Sequence, residues 1–201
     1  MSAAAGPRPL PWPGVAPYDG AAISMRSAAT LAVVLFLAAA VAPSASSQQG
    51  APAGPVLTPL GVGHLKVGMT LAEARRASGR RIVEEGEVFS SCRYAVVPGL
   101  RVSLMLLHDR IARIDVERGS RVHALGGIRR GDTEADVRAF FGPKVVETPH
   151  AYVHGGSYLT VGWRSGRYAG RGIRFETNEK GTVTSIYAGR RDPIRYIEGC
   201  A

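Results

Sequence analysis

Two histidines four residues apart are the first candidates for chemistry in this chain. His150 and His154 would share one face of a helix, a spacing that suits a zinc ion. The residues between them are Ala-Tyr-Val and two glycines follow, a pattern typical of a strand end and a loop. We therefore predict no metal site at this pair.

Three other groups have side chains of reactive types. Glu84, Glu85 and Glu87 could supply the carboxylate pair of a glycosidase, but a solvated turn is the simpler interpretation. Cys92 follows two serines, and no Gly-x-Ser-x-Gly elbow occurs in the sequence. The glycines of residues 166–172 lack the Lys-Ser/Thr end of a phosphate loop. We predict a non-enzymatic protein without a cofactor.

Aromatic residues and arginines are concentrated in the second half of the chain. These two types dominate interface hot spots because they bury a large area at low entropic cost. Trp163 and Phe175 are assigned to the core. The predicted partner-binding face consists of Tyr158, Arg164, Arg167, Tyr168, Arg171 and Arg174.

The N-terminal region is typical of export. Residues 25–27 read Met-Arg-Ser, an apolar run follows over residues 28–42, and small residues come next. The run is shorter than the roughly 20 residues of a spanning helix, so a cleaved signal peptide over residues 25–46 is favoured over a membrane anchor. Residues 1–24 are interpreted as a disordered extension or as sequence upstream of a true start at Met25. We predict a periplasmic or secreted protein with no transmembrane segment after cleavage.

The charge of the chain favours acidic partners. The net charge is +9 and is carried mostly by arginine. Anionic lipid headgroups, anionic polysaccharide and acidic protein faces are all complementary to such a surface. Because the chain is predicted to be exported, nucleic acid is not an expected partner.

Cys92 and Cys200 are the two cysteines of the sequence. In an oxidising compartment such a pair most simply forms a disulfide, here closing a loop of about 100 residues. Two free thiols are the alternative.

One phrase of the sequence occurs twice. Residues 66–75 read KVGMTLAEAR, and residues 129–138, which lie 63 positions later, read RRGDTEADVR. In each copy a threonine, Thr70 or Thr133, precedes an acidic residue by three positions, which indicates a helix N-cap. Gly79 and Gly142 are expected to end the two helices.

Alternating apolar residues after each helix predict antiparallel hairpins. The predicted fold class is therefore α+β, with two tandem repeats, each a short helical segment followed by a small antiparallel sheet. The first repeat covers residues 60–125, the second covers 126–201 with a C-terminal tail, and residues 47–59 form a flexible tether.

The segment from Gly63 to Glu73, with Gly-x-x-x-x-Gly-Met-Thr before a helix, is similar to the opening of the small-protein-A/outer-membrane-lipoprotein-A family. The tandem arrangement resembles the β-lactamase-inhibitor-protein fold. The resemblance implies an exported binding protein that inhibits or assists an envelope or secreted protein. The alternative is a structural envelope protein whose basic surface holds anionic lipid or polysaccharide.

Overall fold

A computed structural model describes residues 54–89 and 91–200. The predicted upstream extension, the signal peptide and most of the tether lie outside these residues. The described part contains two α-helices and twelve strands. They are β1 (Val56–Thr58), β2 (Gly61–Val62), β3 (Leu65–Lys66), α1 (Leu71–Ser78), β4 (Val83–Phe89), β5 (Cys92–Val97), β6 (Val102–Leu107), β7 (Arg110–Val116), β8 (His123–Ala124), α2 (Glu134–Phe141), β9 (Val145–Pro149), β10 (Ser157–Trp163), β11 (Arg171–Thr177) and β12 (Val183–Arg190).

An antiparallel sheet of eight strands dominates the fold. Its strand order is β4-β5-β6-β7-β12-β11-β10-β9. Neighbours in the sheet are joined by hairpins except at the centre, where β7 pairs with β12 through Asp115 opposite Tyr187. This central pairing makes one continuous sheet from strands that are distant in sequence.

A smaller sheet has the order β3-β2-β1-β8. Strand β1 pairs with β2 antiparallel and with β8 parallel. Leu57 of β1 and Val62 of β2 are fully buried. The small sheet therefore belongs to the same core as the large one.

One face of the eight-stranded sheet packs against the helices and forms the core. Alternate residues of the central strands point to this face, including Leu104, Ile114, Ile186 and Phe175, which are fully buried. Helix α1 contributes Leu71 and Ala74, and helix α2 contributes Val137 and Phe141. The opposite face, which we call the outer face, therefore receives the other residues of each strand.

Both helices begin with the predicted threonine caps. Thr70 forms a full capping box with Glu73, and Thr133 forms one with Asp136 even though the aspartate side chain is shorter. The backbone N–H of Thr133 donates to Asp136 Oδ2 at 2.9 Å. Gly79 ends α1 in the left-handed conformation, with φ of 60°, as expected for a C-terminal glycine.

The predicted fold class is wrong. Strands outweigh helices in the described part of the chain, and each of the two helices has only eight residues. There are not two helix-then-sheet repeats, because the large sheet runs through β7 and β12 and a second sheet of four strands lies beside it. Sequence periodicity identified the hairpins correctly, but it carries no information on which outer strands of two hairpin sets pair with each other.

Two local expectations also differ from the structure. Val56–Thr58, at the end of the predicted tether, forms β1 because Leu57 is buried in the core. Glu84 and Glu85 lie in β4 and not in a turn. Glu84 is exposed there and forms ion pairs with Arg75 and Arg93.

Candidate functional site

A buried arginine occupies the centre of the outer face. Arg113 lies on β7 between core-facing residues, so strand alternation directs its side chain outward, yet it is only 5% exposed. Its guanidinium is 4.7 Å from the ring centre of Tyr187 on the neighbouring strand. Burying a charge of this kind is costly unless its hydrogen bonds are made.

Every N–H of the Arg113 guanidinium has an acceptor. Nε and Nη2 donate to the two carboxylate oxygens of Asp115, each at 2.8 Å. Nη2 also donates to the hydroxyl of Tyr94 at 2.9 Å. Nη1 donates to the carbonyls of Pro193 and Tyr196, both at 3.1 Å. Arg113 thus holds the C-terminal segment against the sheet.

A second arginine continues this network on β11. Arg174 Nε donates to Thr160 Oγ1 at 3.0 Å, and its guanidinium lies 4.4 Å from the ring centre of Tyr158. The other side of the network ends at His150, whose ring stacks on Tyr158 at 4.4 Å. Arginines and aromatic rings therefore alternate across the outer face from β7 to the loop after β9.

The electrostatics of this network follow from its burial. Burial raises the pKa of Asp115 to about 6, and the adjacent Arg113 limits the rise. Burial also raises the pKa of Tyr187 far above its usual value, and its hydrogen bond to Glu176 adds to the rise. Burial lowers the pKa of Arg174. These groups are held in place by hydrogen bonds to one another and to the C-terminal segment.

Two residues of the predicted partner-binding face belong to this buried network. Tyr158 is 3% exposed and Arg174 is 6% exposed. The sequence-based expectation that they are exposed is wrong, because the C-terminal segment and the loop after β9 cover them. Strand alternation predicts the face of the sheet to which a side chain points, but not whether a distant segment of the chain packs over that face.

The other four predicted residues lie together at one end of the sheet. Arg164 and Arg167 are exposed on the loop between β10 and β11, and Arg171 begins β11. The ring of Tyr168 packs edge-on against Trp163 at 5.2 Å and lies 4.9 Å from the Arg167 guanidinium. Trp163 and Phe175 contact Phe141 of α2, consistent with their assignment to the core.

Sequence reasoning missed Arg190 and Arg191 at the same end, and Arg195 four residues further along the chain. Arg190 is the register partner of Arg171, and the backbone N–H of Arg191 donates to the carbonyl of Gly170 at 3.0 Å. All three missed side chains are exposed. Pairing of β11 with β12 was the signal that could have located them, since it brings residues 171 and 190 side by side. We call the complete set the arginine end: Arg164, Arg167, Arg171, Arg190, Arg191 and Arg195.

The arginine end has no partner carboxylates. Within the described residues none of its members forms an ion pair with an Asp or Glu side chain. The stretch from Trp163 to Phe175 contains four arginines and no acidic residue. Arg171 Nε is enclosed yet makes no hydrogen bond in this part of the structure. The Nη1 of the same guanidinium donates to the carbonyl of Ala169 at 3.3 Å.

The cysteine prediction is confirmed. Cys92 at the start of β5 and Cys200 form a disulfide with a Cα–Cα distance of 5.4 Å. The bond ties the C-terminal segment to a strand 108 residues earlier in the sequence. The C-terminal segment is therefore attached to the sheet in two ways, by this disulfide and by the hydrogen bonds from Arg113.

The histidine pair lies where a strand ends. His150 Nδ1 accepts from the backbone N–H groups of Tyr152 and Val153, at 3.1 Å and 3.2 Å, while His154 is exposed on the loop. Over residues 54–89 and 91–200, no group of three or more His, Cys, Asp or Glu side chains is arranged to hold a metal ion.

None of the helices in the described ranges is long and apolar enough to cross a membrane. Comparison of the chain with protein-family models, with curated proteins and with solved structures found no match. The resemblance to the small-protein-A and inhibitor families thus stays an expectation from the sequence.

Proposed function

We propose that the protein is an exported, non-enzymatic binding protein whose arginine end holds the anionic phospholipid surface of a cell envelope. The observation that carries this proposal is the set of six arginines without a carboxylate partner. The proposed export depends on the N-terminal sequence and on the compartment in which a disulfide persists.

The charge of the arginine end matches a surface of phosphate groups. Each arginine close to an anionic membrane contributes about 1 kcal/mol of attraction, which decays within a Debye length. Guanidinium groups also form paired hydrogen bonds with phosphate oxygens. Six arginines, five of them exposed and Arg171 half-buried, would thus give substantial but salt-sensitive binding.

Burial of Tyr158 and Arg174 favours lipid over a specific protein pocket. Because these two residues are buried, the exposed part of the predicted face consists mainly of arginines, and Tyr168 is its half-buried aromatic residue. Protein interfaces usually have an apolar centre in addition to charge. The arginine end by itself lacks one.

A protein partner is the second candidate. The packing of Arg167 on Tyr168, and of Tyr168 on Trp163, combines residue types that are enriched in interface hot spots. An acidic protein that inserts a side chain beside this group would use the same arginines. This alternative corresponds to the inhibitor or assembly role expected from the resemblance.

Vesicle sedimentation tests the proposal. The mature chain is mixed with phosphatidylcholine vesicles, either pure or containing an equal share of phosphatidylglycerol, at about 0.05 M and about 0.5 M NaCl. We expect binding to the anionic vesicles only, and a large loss at the higher salt concentration. The triple variant Arg164→Glu/Arg167→Glu/Arg171→Glu should lose binding.

The matched control reverses charge elsewhere. Arg76, Arg80 and Arg81 are exposed in α1 and in the segment after it, so Arg76→Glu/Arg80→Glu/Arg81→Glu makes the same change in net charge without touching the arginine end. Equal loss by this control would show that net charge alone matters and would reject the assigned site. Binding to polyglutamate or dextran sulfate, but not to the anionic vesicles, would instead favour an acidic protein or a polysaccharide.

A further inference from the structure

The C-terminal segment forms a strap across the outer face. We define the strap as residues 192–200. Ile194 is fully buried against β11, where the nearest approach is at Gly172: a Cβ added there would lie 2.6 Å from Ile194 Cδ1. Cys200 closes the far end through the disulfide. Both ends of the strap are therefore attached to the sheet.

Exposed apolar side chains are gathered on and beside this strap. Tyr196 is 42% exposed and Ile197 is 47% exposed. Tyr152, 67% exposed, lies next to them, since its hydroxyl donates to the carboxylate of Glu198. Three of the six large apolar side chains that are exposed in the described residues thus lie together.

The backbone of the strap is hydrogen-bonded to the sheet. The carbonyls of Pro193 and Tyr196 face the sheet and accept from Arg113, and the carbonyl of Arg195 accepts from Arg174 at 3.4 Å. Three carbonyls of the strap are therefore satisfied against the protein. The side chains of Tyr196 and Ile197 are each exposed over almost half of their surface.

We propose that the exposed tip of the strap, formed by Tyr196 and Ile197 with Tyr152 beside it, inserts into the headgroup region of the anionic phospholipid surface. This inference rests on the proposed function and adds an apolar contact to its charge. The strap begins directly after Arg191 of the arginine end. The carbonyl of Tyr196 accepts from Arg113, whose register partner Gly189 directly precedes Arg190, so the tip of the strap lies near the arginine end.

The chemistry of the strap suits a membrane interface. Tyrosine places an apolar ring among the acyl chains and its hydroxyl among the headgroups, and isoleucine adds apolar area. The strap itself carries Asp192 and Glu198 against Arg195, so its side chains have one net negative charge and add no electrostatic attraction to an anionic surface. Its contribution must therefore be apolar and resistant to salt, unlike that of the arginine end.

The disulfide prepares the strap for this contact. Ordering a flexible segment on binding opposes association, and a fixed conformation avoids that loss. Opening the disulfide would free the end of the strap beyond Tyr196, while Ile194 and the carbonyl contacts with Arg113 would still hold its beginning. Insertion should then weaken without loss of the fold.

Tryptophan fluorescence with brominated lipids tests the insertion. Tyr196→Trp is introduced into the full mature chain, and the signal of the native protein is subtracted. With vesicles of phosphatidylglycerol and brominated phosphatidylcholine, we expect a blue shift and strong quenching of the new tryptophan. The control is Val146→Trp, since Val146 is 62% exposed on the edge strand β9, away from the strap.

Affinity measurements separate this inference from the proposed function. Tyr196→Ala/Ile197→Ala should lower the vesicle partition coefficient about tenfold and remove most of the salt-resistant part. Cys92→Ser/Cys200→Ser should lower it by a smaller factor. Both variants are first checked for a cooperative unfolding transition.

Each outcome decides one of the two proposals. If native protein binds anionic vesicles but Tyr196→Trp stays unquenched and the alanine variant binds normally, the strap inference is overturned and the arginine end stands. If the native protein does not bind anionic vesicles at all, both are overturned. Quenching of Val146→Trp to the same degree would also reject the assigned insertion site.

Discussion

Two groups of arginines in this molecule have opposite surroundings. Arg113 and Arg174 lie under the strap, and their guanidinium groups are held by carbonyls, hydroxyls, tyrosine rings and, for Arg113, a carboxylate. The arginine end, a few residues away along the same strands, is mostly exposed and has no carboxylate partner in the described structure.

The difference shows that arginines close together in the sequence can have different roles, some in the fold and some at the surface. Arg171 and Arg174 are only three residues apart on β11, so they point to opposite faces of the sheet. Arg174 meets the strap and becomes structural, while Arg171 lies at the sheet end with Arg190. Composition suggested one binding face, but strand alternation and the strap divide it into a folding element and a candidate binding surface.

The largest effect should come from removing the most completely bonded arginine. We expect Arg113→Ala to lower the free energy of unfolding by about 3–5 kcal/mol, since it leaves a buried carboxylate at Asp115 without its partner and releases the strap carbonyls. Urea unfolding followed by circular dichroism measures the change. A loss below about 1 kcal/mol would contradict the structural role assigned to this arginine.

Removal of the disulfide should loosen the strap and lower the free energy of unfolding by a comparable or smaller amount. For Cys92→Ser/Cys200→Ser we expect a loss of about 2–5 kcal/mol, because the closed loop is long and the unfolded chain gains freedom. Hydrogen exchange should increase first at the end of the strap. If residues 197–200 stay as protected as in the native protein, the disulfide does not hold the strap in place.

The third prediction concerns pH, because the partner of Arg113 titrates in an unusual range. With its pKa raised from 3.8 to about 6, Asp115 binds a proton more tightly in the folded chain than in the unfolded chain. The free energy of unfolding should therefore fall as pH rises from about 4 to about 6, by at most about 3 kcal/mol, and this contribution stays lost at higher pH.

Asp115→Asn provides the comparison for this measurement. The pKa values of Glu73 and Asp136 are lowered by hydrogen bonds from the N-cap threonines, so these groups act in the opposite direction and lose their stabilising effect as pH falls below their ordinary values. Both proteins share them. Subtracting the two pH profiles isolates Asp115, and a flat difference between about pH 4 and 6 would refute the raised pKa.

The local elements of this fold were accessible from sequence. Thr70 and Thr133 correctly predicted where the two helices begin. Alternation of apolar residues located the strands β6, β7, β10, β11 and β12. These signals depend on neighbours in sequence. Pairing of β7 with β12, and of β1 with β8, joins distant segments, and neither periodicity nor capping specifies such pairs.

The candidate site was only partly accessible for the same reason. Arg164, Arg167 and Arg171 are close in sequence and were found together, whereas Arg190 needed the register of β11 with β12. Tyr158 was misplaced because an exposed position on a strand became buried when the loop after β9 and the strap folded over it. The cysteines were paired correctly, but the path of the strap between Ile194 and Cys200 was not predictable from their spacing.

The smallest effect on stability should come from the exposed arginines, and it gives the sharpest contrast with Arg113. Arg167 and Arg190 make no ion pair in the described structure, so the double variant Arg167→Ala/Arg190→Ala should unfold within about 0.5 kcal/mol of the native protein. Binding to phosphatidylglycerol vesicles should nevertheless decrease severalfold at low salt, because two charges near the lipid phosphates are lost.

Arg76→Ala/Arg81→Ala removes two exposed arginines around the end of α1 and serves as the control. It should leave both stability and vesicle binding close to native. If the arginine-end variant instead loses stability as Arg113→Ala does, the exposed arginines belong to the fold and the division between the two groups fails. If stability and vesicle binding of the arginine-end variant are both unchanged, the charge of this end has no part in holding lipid. Measuring unfolding and vesicle binding on the same variants separates a role of arginine in folding from a role in binding.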